Sequence, residues 1–215
     1  MNEKTKISDI FNRDEIKLLT ARSDAWGARA VGSTWAVLGL TFAALAAARD
    51  HLPLWAFLSV LLVGLVIIAG RQLCLGILQH DAAHGTLFKN KWANDVLVDW
   101  LCSRPIWNEL HKYRPYHLTH HAKTATEADP DLCLVAGLPT TRASLARKFL
   151  RDLSGITGLK FLIGRLLMDA GVLGWSLTSD IRRLPQDGRR WWDYLRDLLH
   201  NATGMLISNG VLLGL

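Results

Sequence analysis

Two uninterrupted apolar stretches dominate the pattern of this chain. Ala30 to Ala48 gives 19 uncharged residues between Arg29 and Arg49, and Leu52 to Gly70 gives another 19 between His51 and Arg71. At a rise of about 1.5 Å per residue, each predicts a helix able to cross a hydrocarbon core of roughly 30 Å. Only Arg49-Asp50-His51-Leu52-Pro53 joins them, so an antiparallel hairpin is expected. The second helix should overrun its span. Gln72 to Gln79 stays largely apolar with Gly76 its one breaker, which extends the element from about Leu52 to His84. Arg71 then snorkels or faces other protein. The first span starts behind a mixed-charge segment of 29 residues, which does not fit a cleavable signal peptide.

Weaker patterns flank the hairpin. Residues 1–29 read as a short amphipathic cytoplasmic lead, with Ile7, Ile10, Phe11, Leu18 and Leu19 spaced helically. Ala93 to Trp107 is too short and too charged to span and reads as an interfacial or re-entrant segment, punctuated by Pro105 and later Pro115. His117 to Thr126 should be helical, ended by Asp129-Pro130-Asp131. Residues 141–199 read as amphipathic helices broken around 184–188. Within them, Ile156 to Leu177 carries Lys160, Arg165 and Asp169 and is expected to lie on the membrane surface. Trp191 and Trp192 beside Arg189 and Arg190 form an interface belt. A third apolar stretch opens near Ala202 and is cut off at Leu215, short of the roughly 20 residues a span needs. The expected fold class is all-α integral membrane: a transmembrane hairpin with a long second helix, cytoplasmic and interfacial helices, and a truncated third span.

Composition agrees: 50% of residues are hydrophobic, yet 20% are charged. Basic residues fix an orientation. Residues 1–29 hold 6 of the 25 Lys and Arg, the hairpin turn holds 1 and residues 71–200 hold 18, so the N-terminus and the long middle segment are expected in the cytoplasm. The formal net charge of +6 needs no nucleic acid to explain it. A basic face beside anionic headgroups or a docking surface for an acidic electron carrier would each account for it. Cys74, Cys102 and Cys133 are odd in number without metal-type spacing, and reduced thiols are expected.

Five of the eight histidines fall in two tight groups. The first is His80-Asp81-Ala82-Ala83-His84, and the second is His117-Leu118-Thr119-His120-His121. Residues three and four apart share a helix face, so each group is a prebuilt imidazole claw. Imidazole suits iron, zinc, copper and nickel. A catalytic zinc usually takes three protein ligands, and five histidines exceed that, which favours two metals or a partner cluster. The zinc-protease pattern H-E-x-x-H is a close decoy, because Asp81 stands where its glutamate would be. Asp81 could hydrogen-bond a ligand imidazole or face solvent. Asp129 and Asp131 could anchor the loop after the second group or reach the site, the first being preferred. His51 and His111 read as surface residues and His200 as interfacial.

The stretches His80-Asp81-Ala82-Ala83-His84-Gly85-Thr86-Leu87-Phe88 and Tyr116-His117-Leu118-Thr119-His120-His121, followed by Asp129-Pro130-Asp131-Leu132, resemble the first two histidine boxes of the membrane fatty acid desaturase family. The resemblance covers about residues 30–132 and, weakly, the remainder, so residues 30–215 are expected to form a partial desaturase-like domain behind the lead. It implies O2-dependent dehydrogenation of a fatty acyl chain at a diiron centre, with His80, His84, His117, His120 and His121 as ligands of two iron ions. Reducing equivalents would come from a ferredoxin or a cytochrome b5-type donor. It further implies an integral membrane protein with its histidines at the cytoplasmic face, and the economy of loops suggests a bacterial inner membrane. The family's third box, another H/Q-x-x-H-H, has no counterpart in these 215 residues, which suggests a fragment or truncation. A hydroxylase or ketolase acting on alkyl chains or carotenoids would use the same ligands. A membrane zinc hydrolase and an inactive, truncated membrane protein are the readings from other classes.

Overall fold

The computed structural model describes residues 7–178 and 181–214. The start of the lead (1–6), Ser179, Asp180 and Leu215 lie outside the described residues. The described residues are helical and form no strand, with one isolated β-bridge between Leu173 and Arg183. The chain divides into two compact units, residues 1–111 and 112–215.

In the first unit a short helix, α1 (Arg13–Leu19), opens on a capping box: Asn12 accepts from Asp14 N and Glu15 N, and Glu15 reaches back to Asn12 N at 2.8 Å. The hairpin follows as α2 (Asp24–His51) and α3 (Leu54–Ala83). Both are long and apolar enough to cross a membrane. Ser23 caps α2, Asp24 sits in its first turn and Arg49 and His51 in its last, complementing the helix dipole at both ends. Leu52 and Pro53 make the turn, because proline cannot continue one helix but can open the next. The pairing is antiparallel. Thr34 on α2 meets Cys74 at 3.4 Å, while Leu45, further along α2, meets Gly64, earlier on α3. Leu58, Leu62, Val63, Leu65 and Val66 stay exposed around α3, an apolar girdle that suits a lipid surround.

The last turns of α3 change character. Leu75, Leu78, Gln79, Ala82 and Ala83 are buried, and the helix ends with His84 as its C-cap. The chain that follows is pinned by polar side chains: Asn94 bridges Phe88 N and O at 3.0 and 2.6 Å, and Asp24 accepts from Asn90 N at 2.8 Å. Residues 93–97 and 99–103 are π-helical and 104–106 form a 3₁₀ turn. The expected interfacial segment is thus a widened helix, tied to α2 by Trp35 Nε1 donating to Leu101 O at 2.9 Å.

Helix α4 (Leu110–Lys123) departs from the sequence expectation at both ends. Pro115 lies inside it instead of before it, and it stops short of Thr126. The early start has a visible cause. Asp99 is buried, accepts from Arg104 Nε at 2.7 Å and spends its other oxygen on Leu110 N at 2.7 Å. A carboxylate eleven residues upstream caps the helix, and Pro115 costs it one backbone donor in its second turn.

The second unit contains the rest of α4, then α5 (Arg142–Leu153), α6 (Ile156–Asp169) and α7 (Trp191–Leu213). The break expected around 184–188 is present as a loop that closes on itself through Gly174 N to Arg182 O and Leu184 N to Val172 O. Arg189 ends α6 by donating to the carbonyls of Ala170 and Gly171 and to Asp197 at 2.7 Å. Beyond it α7 runs unbroken from the Trp191-Trp192 pair through the apolar residues from Ala202 onward. Arg165 and Asp169, expected as charges that keep α6 at a surface, are 3% and 1% exposed and pair with each other at 3.2 Å.

Close approach of α2 to the chain after α3 sets a test. A Cβ on Gly27 would lie 2.6 Å from the Leu87 carbonyl oxygen and 2.7 Å from the Phe88 ring, neither of which can step aside. Gly27→Ala is expected to cost about 1–3 kcal/mol. Gly64→Ala, which meets only the mobile tip of Leu45 at 2.9 Å, should cost visibly less. Thermal unfolding of the two variants in detergent checks the order.

Candidate metal centre

The first claw is built by the end of α3. Helical spacing puts His80 and His84 on one face, with ring centroids 4.8 Å apart in an edge arrangement and ligand atoms within 4.8 Å of each other. His80 Nδ1 lies 3.0 Å from Asp81 Oδ1. The carboxylate beside Nδ1 favours the tautomer with its proton there, the hydrogen bond that a ligand imidazole commonly makes. Of the two options for Asp81, the structure contains the hydrogen bond to its neighbour.

The second claw stands on α4. His117 and His121 are one helical turn apart, and their Nε2 atoms approach to 3.0 Å. Two nitrogens bound at right angles to one ion, with bonds of roughly 2.1 Å, are separated by that same distance. His117 is buried and its ring stacks on Tyr113 at 5.0 Å with 11° between planes, so its direction is set by packing as well as by the helix. The two Nε2 atoms share a hydrogen bond, and loss of its proton would leave two convergent lone pairs, a donor set that fits a divalent transition metal.

His120 is placed differently. Being three residues from His117, it projects from the side of that pair, with its centroid 6.2 Å from His117 and 5.5 Å from His121. Its Nδ1 lies 2.7 Å from Asp129 Oδ1 and 3.6 Å from Asp131 Oδ2. Asp129 is buried and anchors the loop after α4. It accepts from the backbone N of Ala125 and of Asp131, each at 2.9 Å, which folds the turn after α4, and it also holds the imidazole. The hydrogen bond to Asp129 pushes the His120 pKa above its ordinary 6.5, and the same bond holds Asp129 below 3.8. Asp131 is taken by Tyr116, whose hydroxyl donates to its Oδ1 at 2.7 Å. Burial pushes the Tyr116 pKa to about 12, so the phenol remains a donor. His51, His111 and His200 are exposed and stand outside these groups.

Three supporting residues were not singled out by sequence reasoning: Asp99, which starts α4; Tyr113, which aligns His117; and Tyr116, which braces Asp131. The aromatic pair had a usable signal. Tyr113 is four residues before His117, the spacing that stacks side chains on one helix face. Asp99 had none, since its partner is chosen by the fold.

The described residues thus combine a hairpin of helices long and apolar enough to cross a membrane with histidine pairs that could hold a metal ion. The profile of one family agrees: fatty acid desaturase matches residues 52–215, from the turn before α3 through α7. The chain belongs to the fatty acid desaturase family. No curated protein and no solved structure gives a match.

The Asp129–His120 pair generates a pH prediction for the metal-free protein. The raised histidine contributes stability fully below about 6.5 and loses it as pH climbs through its folded-state pKa; the lowered aspartate contributes fully above about 3.8 and loses it as pH falls through its own. The contribution is therefore complete between those values and fades on both sides. In Asp129→Asn the His120 ring, followed by NMR, should titrate at lower pH than in the parent. An unchanged midpoint would show that the carboxylate does not act on the ring.

Proposed function

We propose that the protein is an O2-dependent membrane fatty acyl desaturase and that His80, His84, His117, His120 and His121 are ligands of its two iron ions. The observation that carries this reading is the 3.0 Å convergence of His117 Nε2 and His121 Nε2 within a chain of this family. Five imidazoles exceed what a single catalytic zinc takes from protein. Iron supplies the change of redox state by which O2 removes hydrogen from a saturated chain, a chemistry closed to zinc.

Each double bond would consume one O2, two electrons and two protons, remove two hydrogens from adjacent carbons and release two waters. The chain's own residues would prepare the site for this. Asp129 and Asp81 stand beside Nδ1 of His120 and His80, favouring the tautomers that expose Nε2. Tyr113 keeps His117 from rotating. The acyl substrate would enter from the bilayer, and a ferredoxin or cytochrome b5-type donor would bring electrons to the cytoplasmic face. With 18 of 25 basic residues between positions 71 and 200, that orientation obeys the positive-inside rule. A bacterial inner membrane is the compartment proposed.

Metal analysis of the detergent-purified protein is the first test. Iron should be present in stoichiometric amount and absent from His121→Ala. Asp129→Asn should weaken iron binding by about 10–100-fold, the usual effect of removing a carboxylate behind a ligand histidine. Stoichiometric zinc in place of iron would overturn the desaturase reading in favour of a hydrolase. Lipid analysis of expressing cells then separates outcomes: new double bonds that require O2 support the proposal, and hydroxylated or oxidised chains would reassign it to a hydroxylase or ketolase.

A further inference from the structure

Helix α6 is inside out for a protein in water. Two of its three charged residues, Arg165 and Asp169, are 3% and 1% exposed, paired with one another, and held by Asn201 of α7 donating to the Asp169 carbonyl at 2.9 Å. The adjoining arc, with Ile156, Leu159, Leu162, Ile163, Leu166 and Leu167, is exposed. Of the charged residues Lys160 alone is exposed, at the border of the apolar arc, where a long side chain can reach headgroups. Burying charge while displaying aliphatic side chains is unfavourable in water on both counts and favourable on both in contact with lipid.

The preceding helix repeats the display and adds charge. At 100° per residue, Leu145, Ala146, Phe149, Leu150 and Leu153 of α5 fall within an arc of about 140°, and Leu150 and Leu153 are 69% and 84% exposed. The remaining arc carries Arg147, Lys148, Arg151 and Asp152, and Arg142 opens the helix. Four cations therefore face one anion. Lys148 binds Asp152 at 2.6 Å, whereas among the described residues no ion pair engages Arg142 or Arg147. The corner between the helices is latched by Arg151 Nε and Asp152 Oδ1, both bonded to Thr157 Oγ1. With 12 and 14 residues, α5 and α6 reach about 18 and 21 Å, too short for a core of roughly 30 Å.

We propose that α5 and α6 lie in the plane of the membrane, immersed to the level of their apolar arcs, and that the α5 cations select a leaflet rich in anionic lipid headgroups. Charge complementarity names the occupant. Basic residues bordering a bare apolar arc match anionic headgroups bordering acyl chains, and the inverted α6 beside them needs a hydrocarbon surround more than a polar protein face. This docking surface belongs to the second unit alone and does not depend on the reaction the histidines support.

Collisional EPR on the full chain in nanodiscs tests it. A spin label at Leu153→Cys should be relaxed by O2, which concentrates in lipid, and shielded from a neutral aqueous nickel chelate. A label at Ser144→Cys, on the polar arc, should show the reverse, with signal from native thiols subtracted using the labelled parent. Adding anionic phosphatidylglycerol to phosphatidylcholine discs should raise the docked-to-undocked ratio, and Arg147→Gln should lower it about fivefold in the anionic discs. Leu150→Cys repeats the depth reading on the same arc if Leu153→Cys does not fold. Nickel access at position 153 would overturn the proposal, as would shielding from both reagents, which would mean that protein and not lipid covers the arc. Equal docking in both lipids would overturn the selection of anionic headgroups.

Discussion

Lipid offers a backbone no hydrogen-bonding partner, and that constraint shapes the first unit from Asp24 to Ala83. Inside an apolar surround every N–H and C=O must be satisfied within its own helix. The chain answers with two helices of 28 and 30 residues joined by Leu52 and Pro53. Because α3 is continuous, the first histidine pair is carried on the same rigid rod as the span itself. Its position is set by counting turns from Pro53, with no loop to blur it. Past α3 the backbone is irregular and is satisfied by the Asn94 and Asp24 side chains, and it turns helical again, largely in π form, from Ala93 to Ser103.

The second histidine pair depends on a different device. Its helix begins where Asp99 supplies a cap, and its exit is folded by Asp129. Two carboxylates thus bracket α4, and one of them also holds an imidazole. Coupling the turn to a candidate ligand means that the loop geometry and the tautomer of His120 stand or fall together. Such a bond costs little to make and is expensive to lose once buried, since the remaining partner is left desolvated.

Both units turn apolar side chains outward, by different means. In the first, apolar surface surrounds the hairpin and polar residues collect past the end of α3. In the second, α6 turns a paired Arg165 and Asp169 inward and its leucines and isoleucines outward. A buried ion pair adds little net stability by itself, but here it lets the helix keep an apolar outer face without an uncompensated charge.

Much of this was legible in the residues. The hairpin, the overrun of α3 and the two claws follow from unbroken apolar runs and from histidines spaced by three and four, since these are local, periodic properties of a chain. The histidine motifs also pointed to the fatty acid desaturase family, to which the chain belongs. Other features were decided only by tertiary structure. Pro115 reads locally as a stop, yet α4 passes through it from a start that Asp99, eleven residues upstream, caps. Arg165 and Asp169 read as charges that keep a helix at the membrane surface, yet packing against α7 turns them inward. His120 has the same spacing credentials as His121, but Asp129, nine residues away, draws it aside from the pair. In each case the partner lies beyond one helical turn, and a pattern confined to one turn carries no information about it.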